Sequence, residues 1–135
     1  MQPLKFEKNG ALKKTKRNVA NAYRRAAAWL EQNPGKWGAY RLYDEKTGCY
    51  CANGAIDLVC GVPYAVRKRT TAGTIPQAIA DVLDEVKNDD IGNLWALNDY
   101  QFRIEYKTGT APRILSDVTK QMRKIARDLD HGGSL

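Results

Sequence analysis

Apolar and polar positions alternate along the chain with periods that divide it into helical and extended stretches. From about Thr15, Val19, Tyr23, Ala26 and Leu30 recur at the four-three-four spacing of one helix face, with Ala22 and Ala27 beside them. Arg17, Arg24 and Arg25 fall largely off that face. Asn33-Pro34-Gly35 ends this helix, because a residue before proline is pushed out of the helical region. Trp37 to Tyr43 is aromatic and alternating, Asp44 to Gly48 is a polar turn, and Cys49-Tyr50-Cys51 follows. This predicts a short β-hairpin with Gly48 at positive φ. A two-stranded hairpin is marginal alone, so Trp37, Tyr40 and Tyr43 are expected to pack it onto the helices.

After Cys51 the period is helical again. Ala52, Ala55, Ile56, Val59 and Cys60 make the stripe of a short buried helix that stops at Gly61, and the small Gly54 and Ala55 suit close approach of another backbone. Thr74-Ile75-Pro76-Gln77 reads as a capped helix start. Ile75, Ala78, Ile79, Val82, Leu83 and Val86 continue it, opposite an acidic face of Asp81, Asp84 and Glu85. Ile91 to Asp99 reads as a short helical or turn segment with Trp95 inward, and Asn98-Asp99 as a cap or turn pair that fixes it. Tyr100, Phe102, Ile104 and Tyr106 alternate with polar residues and predict an extended segment. A last helix opens at Thr110-Ala111-Pro112, buries Ile114, Leu115, Val118, Met122, Ile125 and Leu129, and turns Lys120, Arg123, Lys124 and Arg127 to solvent. The expected fold is α+β: three longer helices, one short buried helix and a small antiparallel β-hairpin or sheet. Residues 1–14 read as a loose basic arm, 15–130 as one globular domain, and 131–135 as a flexible tail.

Charge sharpens the view of the N-terminal region. Lys5, Lys8, Lys13, Lys14, Lys16, Arg17, Arg24 and Arg25 face only Glu7, and they account for the whole net charge of +7, since basic and acidic side chains are equal in number from residue 26 onwards. A local cluster of this kind, centred on Lys13, Lys14, Lys16, Arg17, Arg24 and Arg25, is a contact for nucleic acid or an acidic partner, or a solubilising surface. Arg67-Lys68-Arg69 in a polar loop is a second candidate phosphate contact. No apolar run is long enough to span a membrane, and Met1 to Glu7 lacks the apolar core of a secretion signal, so a cytoplasmic protein is expected.

The three cysteines are candidates for chemistry. Cys51 opens a helix, where amide donors and the helix dipole favour thiolate, and Asp99 or Asn98 could orient a base. The lone histidine, His131, lies in the tail, so a base for Cys51 is missing. Cys49 and Cys51 are one residue apart, too close for the usual spacing of paired zinc ligands, and Gly48 to Gly54 lacks the lysine of a phosphate loop. No metal and no cofactor is expected, and Cys51, Gly54, Ala55, Trp95, Asn98 and Asp99 read as a structural hub.

Cys49-Tyr50-Cys51-Ala52-Asn53-Gly54-Ala55-Ile56 together with Ile91-Gly92-Asn93-Leu94-Trp95-Ala96-Leu97-Asn98-Asp99 resembles a family of small, uncharacterised actinobacterial and actinophage proteins with Cys-x-x-Gly-Ala and Trp-Asn-Asp type motifs. The resemblance runs from about Val19 to Arg127. It departs where Ala96-Leu97 separate Trp95 from Asn98. It implies a phage or actinobacterial cytoplasmic protein and brings no activity with it. Together these readings favour a non-enzymatic binding protein whose basic N-terminal region contacts nucleic acid. The alternatives are a module that docks on a host or phage protein, and a Cys51-dependent hydrolase or transferase.

Overall fold

The structure, a computed structural model, describes residues 3–8, 10, 12–62, 94, 97–99, 101 and 111–131. Helix α1 spans Lys16–Gln32. Thr15 caps it by accepting the Asn18 N–H at 3.2 Å, which satisfies one of the amides left open in a first turn. Val19, Ala22, Tyr23, Ala26, Ala27 and Leu30 are buried along its expected face. Asn33 closes the helix through backbone bonds to Trp29 and Leu30, and a 3₁₀ turn, Pro34–Lys36, leads out of it.

Strands β1 (Tyr43–Asp44) and β2 (Cys49–Tyr50) pair antiparallel, Tyr43 opposite Tyr50 and Asp44 opposite Cys49, and Gly48 takes φ +73° in the turn as expected. Trp37 adds a parallel bridge to Tyr50, so the strand-like stretch is shorter than the aromatic alternation predicts. The Tyr50 ring meets Tyr43 at 4.7 Å and the edge of Trp29 at 5.4 Å, which seats the hairpin on α1. Trp37 is buried, but Tyr40 is 65% exposed with φ +70°, a correction to its expected place in the core. Its backbone N–H is taken by the Asp99 carboxylate at 2.9 Å; in the left-handed turn held this way the ring is left in solvent.

Helix α2 (Ala52–Val59) follows β2 directly, burying Ala52, Ala55 and Ile56, and Gly61 at φ +85° leads the chain away. Helix α3 (Ala111–Asp130) packs antiparallel on α1, with Ile114, Leu115, Val118, Met122, Ile125, Ala126 and Leu129 against the α1 face. Two ion pairs fix the register: Arg123 meets Glu31 near the end of α1, and Asp130 meets Arg24 in its middle. Among the described residues, two long helices and a short one with a two-stranded antiparallel sheet make the fold α+β.

The N-terminal residues are less loose than composition suggests. The Asn18 side chain accepts the Lys5 N–H at 2.9 Å and donates to the Lys5 and Lys13 carbonyls at 2.8 and 2.7 Å. A Phe6–Leu12 bridge closes the turn between them, and Leu12 enters the core. One amide side chain thus binds both legs of this turn to α1. Residues 97–99 and 101 are helical, which includes Gln101, where the alternation predicts extended chain. The expected helix from Thr74 to Val86, its acidic face, Arg67-Lys68-Arg69, Trp95, the rest of the Tyr100–Tyr106 alternation and the last four residues lie outside the described residues. Among the described residues, no helix is long and apolar enough to cross a membrane.

Candidate functional site

The first candidate is the start of α2. Cys51 is its N-cap, and its sulfur accepts the Gly54 N–H at 3.4 Å. The residue is buried, so the thiol serves as a capping group in place of the usual serine or aspartate. Asn98 reaches the same helix start from a distant part of the chain. Its Oδ1 accepts both the Ala52 N–H at 3.0 Å and the Trp37 indole N–H at 2.7 Å, while its Nδ2 donates to the Gly38 carbonyl at 2.9 Å. Asn98 is fully buried, and burying an amide at this depth is tolerable only because these bonds are made. It therefore ties α2, the Trp37 strap and its own segment together, where the sequence suggested only a local cap for the Trp95 turn.

Cys51 and Asp99, the pair weighed for catalysis, do meet. They line a shallow depression of about 170 Å³ together with Tyr40, Arg41, Leu42 and Asn53. Asp99 is committed to the Tyr40 N–H, and the Asn53 Oδ1 is buried without a partner among the described residues. No histidine lines this depression. His131 sits in the turn that closes α3, its N–H bonded to the Arg127 carbonyl at 3.0 Å. Among the described residues no group of three or more His, Cys, Asp and Glu side chains could hold a metal ion. Deeper in the core, burial and the nearby Asp57 and Cys60 push the Tyr23 phenol above its ordinary range.

The second candidate is the outer face shared by α1 and α3. Lys13, Lys14, Lys16 and Arg17 are exposed at the start of α1, and Arg24 and Arg25 are half-buried further along. Lys14 and Arg25 are engaged in further interactions. The antiparallel packing carries the basic strip of α3 to the same face. A groove of about 340 Å³ between the two helices is lined by Arg24, Ala28, Arg123 and Arg127. A second, of about 500 Å³, runs along α3 and is lined by Asp117, Lys120, Gln121, Arg123, Lys124 and Arg127. Among the described residues Lys120, Lys124 and Arg127 make no ion pair. The sequence marked both strips as basic, and their juxtaposition follows from the helix register.

Two carboxylates punctuate this face. Arg24 binds Asp130 and also donates to Asn21 Oδ1 at 3.2 Å, while Arg17 Nε lies 3.3 Å from the other Asp130 oxygen. Arg123 grips Glu31 with both Nη atoms at 2.6 Å, a bidentate pair. The hydrogen bond from Arg24 holds the Asp130 carboxyl below its ordinary range, and that from Arg123 does the same for Glu31. Both carboxylates have folded values below their unfolded ones, so they stabilise the fold above the ordinary carboxylate range, and that contribution is lost as pH falls through the lowered values. Melting temperature is therefore expected to drop on acidification below the ordinary carboxylate range, with a smaller drop in Asp130→Asn. Identical pH profiles for the two proteins, followed by circular dichroism, would show that the clasp contributes nothing.

An α+β protein whose paired terminal helices carry a basic face, beside a cysteine-capped helix, is what the described residues define. Residues 14–103 match a family described as a family of unknown function, DUF6197, and the chain belongs to that family. No curated protein and no solved structure shows significant similarity to the chain. The matched span includes the whole of α1, the hairpin, α2 and the Asn98 segment, and leaves α3 outside it.

Proposed function

We propose that this protein binds nucleic acid through the face formed by α1 and α3, as a small accessory protein of phage or actinobacterial cytoplasm without an enzymatic activity of its own. The observation that carries the reading is the convergence of two basic strips on one side of an antiparallel helix pair. Arg17 and Arg24 come from α1, and Lys120, Lys124 and Arg127 come from α3. Lys13, Lys14 and Lys16 extend the field at the start of α1, and Arg67, Lys68 and Arg69 belong to the same proposal as a further contact. The origin rests on the motifs around Cys51 and Asn98 that resemble actinobacterial and actinophage proteins.

Phosphate contacts release condensed counterions, so affinity falls with salt at a slope of about −0.9 per contact on duplex DNA. In a gel-shift series with duplex and single-stranded DNA, binding is expected at low salt and to weaken steeply as salt rises. Replacing Lys120, Lys124 and Arg127 together by glutamine is expected to flatten that slope by about two to three units. Absence of binding to either form at low salt overturns the reading. It would leave the second one, a protein-docking module, which is favoured by Tyr40: a large ring 65% exposed on a turn fixed by Asp99.

A further inference from the structure

We infer that Arg24, Ala28, Arg123 and Arg127 form a seat for a single backbone phosphate on the α1–α3 face. The inference rests on the nucleic-acid reading above and adds where and how the backbone is held. Ala28 lies four residues after Arg24, and Arg127 four after Arg123, so floor and walls are built from same-face neighbours on each helix. Ala28, with no side chain beyond Cβ, leaves the groove of about 340 Å³ open beside the three arginines.

The three arginines are not equivalent. Arg123 spends two donors on Glu31, and Arg24 divides its own between Asn21 and Asp130. A guanidinium has five N–H donors in a rigid fork, so both keep donors beyond those bonds. Their carboxylate partners fix them in place, which lowers the entropy lost when an anion arrives. Neither Glu31 nor Asp130 lines the groove itself. Arg127 is exposed, makes no ion pair among the described residues, and brings a full fork suited to bidentate contact with phosphate.

Arg123 and Arg127 also line the larger groove with Asp117, Lys120, Gln121 and Lys124, so the two depressions adjoin along α3. Among the described residues, no aromatic side chain lines either groove. A phosphate held in the seat carries no sequence information, so the seat adds affinity and position to whatever else the face contacts.

The test uses the full chain and fluorescently labelled duplexes of equal length and unrelated sequence. Ala28→Leu fills the floor with a neutral, helix-favouring side chain and leaves every charge in place. Its affinity is expected to fall about tenfold, with the salt slope lower by about one, because one phosphate contact is lost. Arg127→Lys keeps the charge but removes the fork, and its affinity is expected to fall about fivefold at an unchanged slope. Each loss is expected to be alike, within about twofold, on duplexes of unrelated sequence, since a phosphate contact carries no sequence information. If Ala28→Leu fails to fold by circular dichroism, Arg127→Lys decides alone. Wild-type affinity in the variants, with salt-dependent binding intact, overturns the seat and spares the basic face. A loss confined to one duplex sequence overturns the phosphate seat, because it would mean that these residues read a base. No binding by the wild-type protein removes the nucleic-acid function altogether.

Discussion

Asn98→Ala is expected to be among the most damaging single substitutions in this protein. The truncation strands the Ala52 N–H, the Trp37 indole N–H and the Gly38 carbonyl, all of which now bond to one buried amide at 2.7 to 3.0 Å. Each unsatisfied buried group costs about 1–3 kcal/mol, so a loss of about 3–5 kcal/mol is expected even where one of them finds another partner. That is a large share of the roughly 5–15 kcal/mol that keeps a domain of this size folded. Urea denaturation of the two proteins measures it. A shift under about 1 kcal/mol would mean that Asn98 is not what joins the Trp37 strap to α2.

Gly54→Ala separates two opposed expectations by sign. In an ordinary helix this substitution stabilises by roughly 0.5–1 kcal/mol, because glycine loses the most backbone freedom on folding. Here a Cβ at residue 54 would stand 1.8 Å from the Leu42 carbonyl oxygen and 2.6 Å from its carbon. Backbone on a neighbouring strap cannot rotate aside as a flexible side chain would, so α2 must move off it. Overpacking of this kind costs about 1–3 kcal/mol, at times more. A net destabilisation of about 2–3 kcal/mol is therefore expected from the same denaturation experiment. A more stable Gly54→Ala protein would contradict the close approach of the strap to α2.

These two positions also mark how far the sequence could be read. Gly54 and Ala55 were legible as small residues inviting a neighbour, since glycine inside a helical stripe rarely has another reason. What the neighbour is depends on the chain between Trp37 and Tyr43, whose aromatic alternation hides a left-handed residue at Tyr40. Residues whose partners lie within one turn were readable throughout. The helix start near Thr15, Asn33 as a stop, Gly48 in the hairpin turn and the apolar stripes of α1, α2 and α3 all follow from local spacing. Asn98 was singled out as a short-range cap, yet its bonds reach 46 and 61 residues along the chain, and no local pattern encodes that span. Asn18 was missed for a related reason: a polar residue in the first turn of a helix looks solvated until the incoming chain folds over it.

The candidate binding face shows the same division. Both basic strips stood out as charge patterns. Their union depends on α1 and α3 being antiparallel neighbours in one register, a tertiary fact recorded in the Arg24–Asp130 and Arg123–Glu31 pairs. Cys51 moved in the opposite direction. Its place at a helix start was readable and is what the structure shows, but its sulfur faces inward to cap Gly54, beside an Asp99 already occupied by Tyr40. The weight of the functional reading therefore rests on the helix face.

Where nucleic acid touches the chain can be mapped directly by two-dimensional NMR of the isotope-labelled protein titrated with duplex DNA at low salt. Backbone amides of Arg17, Arg24, Ala28, Lys120, Lys124 and Arg127, with the arginine Nε–H signals of Arg24, Arg123 and Arg127, are expected to shift together and to return as salt is added. Shifts confined to Tyr40, Cys51, Asn53 and Asp99, or no shifts at all, would contradict binding at the α1–α3 face.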